Sequence, residues 1–293
     1  MFSVGAARIV IGGAGLGLVA WFLAWRARTT LTAEPGGKPG MRRSAVLIVI
    51  GALGVVAYQP AFFLGTSLNG VAMGTMVALG SAPAMTGALS WVVERRFPGL
   101  RWAVATLVAT AGVVLLGGVL LGGVFDVFFG KATSSVNLAG LLGSLGAGFS
   151  YAVYTLIFKR LIDDGWHPSS SAGTVFGLAA IFGVVLLSFT DTRWMATGPG
   201  ITMALWLGLG TTTVAYLLFA EGLQKLSAPT VSTLTLAEPV TASVLGMVIL
   251  GERLGPIGWW GISGIAAGIG ILLLHPRRNA AAPETEPTEQ VHA

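Results

Sequence analysis

Charged side chains are scarce in this 293-residue sequence, so any that fall inside apolar stretches stand out. Glu238 sits near the middle of the apolar run 229–250, beside Pro239. An ionised carboxylate at the centre of a membrane helix costs about 2.5–3.5 kcal/mol on insertion scales, so it must be paired, protonated or facing a wet cavity. Two roles fit it: a site for a proton or a cationic solute, or a carboxyl that bonds backbone freed by Pro239, since proline removes a helical donor. Arg8 lies inside the run 6–25 near one end. It either snorkels to the interface or anchors an anionic group or Glu238. Tyr58 and Gln59 precede Pro60; Tyr216 stands in a later apolar run; Ser150, Tyr151 and Tyr154 form another group. Tyr151 and Tyr154 are three apart and share a helix face. Such groups suit the lining of a solute path, where apolar walls carry a few polar groups. They suit interhelical hydrogen bonding equally. Glu221, at a helix end, reads as an interfacial charge.

No catalytic constellation accompanies them. His167, His275 and His292 fall in joints or the tail, and no metal-ligand spacing, phosphate loop or nucleophile elbow is present. There is no cysteine, which excludes disulfides and thiolate metal sites. No metal and no cofactor are expected.

The elements that must position these groups follow from composition. Hydrophobic residues make up 54% and charged residues 10%, against roughly 25% charged in a soluble domain. Such a chain needs lipid as a solvent. A spanning helix takes roughly 20 mostly apolar residues, and nine segments qualify: 6–25, 44–66, 70–93, 102–125, 137–158, 172–190, 200–220, 229–250 and 256–274. The first reads as a retained helix rather than a signal peptide. The joints are short and hold breakers such as Asn69-Gly70 and Pro98-Gly99. The 43 glycines suit close helix packing. Three small-residue pairs, Gly13/Gly17, Gly118/Gly122 and Gly264/Gly268, suggest packing within the chain or between chains, so a homodimer stays open. Residues 276–293 are polar and expected to be disordered.

Lys and Arg distribute unevenly when the joints are counted alternately. Thirteen fall on one side, and three (Lys131, Arg193 and Arg253) on the other, with Arg8 left over. The positive-inside bias places the first set, and the C-terminus, in the cytoplasm. The basic excess therefore reads as topology; no nucleic-acid partner is expected, and the bilayer is.

Residues 57–118 repeat in 215–272. Ala57-Tyr58 matches Ala215-Tyr216, Ala82-Pro83 matches Glu238-Pro239, Arg96-Phe97 matches Arg253-Leu254, and Trp102 matches Trp259 or Trp260. Arg95 stands where the first copy would carry the Glu of Gly-Glu-Arg. The matching helices lie five apart, so the copies run in opposite directions. Inverted repeats of this kind mark transporters that handle solute near the midplane.

The stretch TLAEPVTASVLGMVILGERLGPIGWWGISGIAAGIGILLL resembles the last two helices of EamA-type permeases of the drug/metabolite transporter superfamily, and SYAVYTLIFKRL at 150–161 fits the same pattern. The resemblance implies an all-α integral membrane bundle of ten helices in two inverted five-helix units, and export of amino acids, metabolites or drugs. Here the units would be residues 1–130 and 131–275. The helix at 137–158 lacks a counterpart in the first copy, so the count is nine, and the missing helix reflects either a late start or a nine-helix variant.

Two functions follow. One is a permease moving a small metabolite, amino acid or drug-like solute by alternating access, with helices 44–66, 70–93, 137–158, 200–220 and 229–250 rocking around a mainly apolar cavity. The other is a non-transporting or truncated membrane protein acting as a scaffold or partner subunit. The path candidates of the permease would be Tyr58, Gln59, Ser150, Tyr151, Tyr154, Tyr216 and Glu238.

Overall fold

An apolar segment in lipid must satisfy its backbone internally, which makes each one a helix. The computed structural model describes residues 2–30, 40–116, 136–251 and 253–274. Eleven helical pieces run in order: α1 (Phe2–Thr30), α2 (Met41–Asn69), α3 (Val71–Glu94), α4 (Leu100–Leu116), α5 (Leu138–Asp163), α6 (Pro168–Ser188), α7 (Gly198–Leu205), α8 (Ala215–Lys225), α9 (Ala228–Leu234), α10 (Ala237–Leu250) and α11 (Pro256–Leu273). A short 3-10 turn, Arg193–Ala196, precedes α7, and a π-helical stretch, Trp206–Val214, joins α7 to α8. Among the described residues, eight helices are long and apolar enough to cross a bilayer, and Leu100–Leu116 is a shorter ninth. The expected segments at 200–220 and 229–250 are thus single spans, but each is interrupted. The rest of the segment at 102–125, the Gly118/Gly122 pair and the tail 276–293 lie outside the described residues.

Helices that match in the repeat pack on each other: α1 along α6, and α4 along α11. Bare backbone makes this approach possible. A methyl group added at Gly13 would strike the Phe176 carbonyl of α6, and one at Gly268 would come within 2.6 Å of the Ala105 carbonyl of α4. The Gly13 and Gly264/Gly268 faces therefore serve contacts within the chain. The helix α5 fills the angle between α2 and α3. Ser144 of α5 closes over Gly65 of α2, whereas a methyl group added at Gly222, its counterpart in the second copy, would meet nothing within 4 Å among the described residues. Among the described residues, no helix lies along α8 and α10 as α5 lies along α2 and α3.

Contacts at the helix ends sort the joints into two groups. Arg43 pairs with Asp164 at 3.8 Å, and Lys159 with Asp163 at 2.9 Å. The Lys159 ammonium donates to the Leu223 carbonyl, and Arg101 Nε donates to that of Ile271. At the opposite end, Asn69 and Asn137 exchange hydrogen bonds, and Trp194 Nε1 donates to Ser3 Oγ. These groupings are the ones that alternate counting of Lys and Arg requires.

Helix ends also realign the repeat. The α3 C-cap is Arg95, with φ 54, and the α10 C-cap is Gly251, with φ 68. Arg95 thus stands where the second copy has the glycine of Gly-Glu-Arg, one position from the motif match. Left-handed backbone suits glycine and strains arginine by roughly 1–2 kcal/mol.

Candidate functional site

The two interruptions face the same place. In the second copy, Pro239 lacks the N–H that would continue the helix. The chain turns at Thr235–Leu236, with the Glu238 N–H bonded to the Thr235 carbonyl, and α10 begins anew. Glu238 therefore stands in the first turn of a helix, where the exposed N–H groups favour an anion. A polar network holds the preceding α9: Trp102 Nε1 donates to the Pro229 carbonyl at 3.0 Å and to Thr233 Oγ1, which also meets Thr106 at 2.7 Å. Thr86 donates to Ser232 beside it. Trp102 is thus an anchor for α9.

In the π-helical stretch, Thr212 and Thr213 hydroxyls donate to carbonyls five residues back, at Leu207 and Gly208. Thr213 also bonds the Gly12 carbonyl of α1. Such stretches are frequent at functional sites. Thr212 in this one meets Arg8 of α1, and Thr211 lines a space with Tyr58 of α2.

Between these elements lies a cavity of about 650 Å³, within the range of small-molecule sites. Its walls include six of the expected residues: Tyr58, Gln59, Tyr151, Tyr154, Tyr216 and Glu238. Ser150 is not among them; it is buried where α5 meets Gly54 of α2. Two pairs related by the repeat, Tyr58 with Tyr216 and Ala82 with Glu238, line the same space. The cavity therefore sits where the two copies meet.

The tyrosines differ in partners. The Tyr154 and Tyr216 hydroxyls share a hydrogen bond at 2.9 Å, and Tyr151 meets Thr235 Oγ1 at 3.3 Å. Phe158, Phe176 and Phe219 pack around Tyr216. This cluster closes one side of the cavity. Tyr58 stacks on Phe62, and within the described residues neither its hydroxyl nor the Gln59 amide makes a hydrogen bond.

Arg8 is the residue that sequence reasoning left undecided. Its Nε donates to Thr212 Oγ1 at 3.0 Å, and it lines the cavity with Glu238. It does not form an ion pair with Glu238: among the described residues the ion pairs all lie at the α2 and α5 ends. The Glu238 carboxylate likewise makes no hydrogen bond to the backbone beside Pro239. The two groups thus line one cavity without a direct salt bridge, and most of the remaining wall is apolar, in keeping with the expectation: Phe62, Phe63, Leu79, Leu207 and Phe219. Sequence reasoning also passed over Thr211, Phe62, Phe63 and Phe219. The Thr211–Thr213 run was the available signal, since threonine hydroxyls that bond back to the helix disturb it.

Residues 138–274 match the model of the EamA-like transporter family. The uncharacterized transporter YwfM of Bacillus subtilis is 36% identical over 96% of this chain and 86% of its own length. The threonine/homoserine exporter RhtA of Escherichia coli is 28% identical over 79% of this chain and 80% of its own. A solved crystal structure superposes with a TM-score of 0.69 at 20% identity, covering 92% of this chain and 86% of that one, which supports the fold alone. With its all-helical bundle of apolar spans, the chain belongs to the EamA-like transporter family and is a polytopic membrane protein.

Proposed function

We propose that this protein is a permease of the cytoplasmic membrane that moves a small amphipathic metabolite, amino acid or drug-like solute by alternating access through the central cavity. The observation that carries the reading is the cavity lined by repeat-related pairs, Tyr58 with Tyr216 and Ala82 with Glu238. A site shared by two inverted copies is where transporters of this architecture bind solute, and rocking one copy against the other opens it to either side. A relative that exports threonine and homoserine supports amino acids as a solute class. The basic joints at the α2 and α5 ends face the cytoplasm in this reading.

The test is a solute screen. Purified protein in liposomes is loaded in turn with amino acids, amphipathic amines and small acids. At least one solute is expected to cross faster than in empty liposomes; none above that leak overturns the proposal.

A further inference from the structure

We propose that Arg8 and Glu238 are the two poles of a zwitterion site, which holds an α-amino acid by its carboxylate and its ammonium at once. This rests on the permease reading above and adds the substrate class and the residues that select it.

Arg8 donates its Nε to Thr212 Oγ1, and Thr212 is itself fixed by the Leu207 carbonyl. This tether holds the guanidinium by its Nε edge. Its two terminal amino groups make no hydrogen bond within the described residues. A guanidinium held this way presents a fork that matches a carboxylate. Glu238 lines the same cavity, and among the described residues its carboxylate has no salt-bridge partner within 4 Å.

The separation of the two charges decides the solute. Had they met as an ion pair, the cavity would be neutral and closed to charge. Unpaired, each carries a desolvation cost that a bound counter-charge relieves. An amine alone would satisfy Glu238 and leave Arg8 unmet, and an acid alone would do the reverse. A zwitterion meets both, so each pole rejects the solute that lacks its partner. Ala82, the repeat counterpart of Glu238, carries no charge, so the site has one acidic pole and one binding orientation. The walls beyond the poles include Phe62, Phe63 and Phe219, which suit a small apolar side chain.

The experiment uses full-length protein in liposomes and counterflow of labelled L-leucine and L-threonine. The competitors are the unlabelled amino acids, their methyl esters (ammonium only) and their N-acetyl derivatives (carboxylate only). Wild-type protein is expected to favour the zwitterion by about tenfold or more over each analogue, the effect of one lost charged contact. Arg8→Gln should erase the advantage over the methyl ester but keep that over the N-acetyl form; Glu238→Gln should do the opposite. Each comparison is a ratio within one preparation, so a partly folded variant still reports. Arg8→Lys and Glu238→Asp should retain both preferences in part. If the wild type moves a solute but prefers a singly charged form, or if each variant shifts all competitors equally, the zwitterion site is wrong and the permease stands. If no solute in the wider screen crosses, the permease reading fails first.

Discussion

Tyr154 and Tyr216 show what a single buried contact does in this protein. Their shared hydrogen bond ties α5 to α8 at the wall of the cavity. Interhelical hydrogen bonds in membranes average about 0.6 kcal/mol, so Tyr154→Phe and Tyr216→Phe should each lower stability by roughly that amount. The double variant should cost less than the sum, which thermal unfolding of the detergent-purified protein can measure; full additivity would show that the contact is not formed. The tyrosines were legible in the sequence because the repeat pairs Tyr58 with Tyr216. Arg8 was not, because the hydroxyl that holds it lies 204 positions away. Ser150 looked like its tyrosine neighbours, but α2 approaches it too closely for a cavity to open there. No pattern in one segment reports the distance to another.

At the scale of elements, small residues set how close helices come. Gly13→Val would drive a side chain into the Phe176 carbonyl, and overpacking of this kind costs about 1–3 kcal/mol. Gly177 in α6 has open space around it. Gly177→Ala should be neutral or stabilising by up to about 1 kcal/mol, because glycine weakens a helix. Equal midpoints for the two variants would contradict the α1–α6 packing. Arg95→Gly should stabilise the protein by up to about 1–2 kcal/mol, by relieving the left-handed cap at the end of α3. The same unfolding assay reads it, and a fall in stability would show that the arginine side chain does more than cap. Helix existence and rough bounds followed from hydropathy alone. The interruptions did not. In the π-helical stretch Thr213 reaches Gly12 of α1, a tertiary contact that a run of apolar letters does not carry. Pro239 signals the break before Glu238, but the hydrogen bonds from α3 and α4 that hold α9 ahead of it do not show in the sequence.

For the whole molecule, the repeat is the organising feature. Matched positions of inverted copies meet near the axis that relates them, and Tyr58 with Tyr216 and Ala82 with Glu238 line one cavity. What the repeat could not give was that the two charged groups share one cavity, because the counterpart of Glu238 is the uncharged Ala82. Alternating access makes a further prediction. The chain has no cysteine, so a single Ala82→Cys reports alone. Its labelling by a membrane-impermeant thiol reagent should change at least severalfold when a transported solute saturates the cavity. Equal rates with and without solute would argue against a moving gate around that position.

The cavity itself can be closed without touching its charges. Ala215 is exposed on the cavity wall, one residue before Tyr216. The measurement is solute flux in proteoliposomes by wild-type protein and by Ala215→Trp, after both have been shown to elute and unfold alike. Flux above the empty-liposome leak for the wild type, reduced to that leak in Ala215→Trp, is the predicted result. Equal flux through the two proteins would mean that solute does not pass through this cavity.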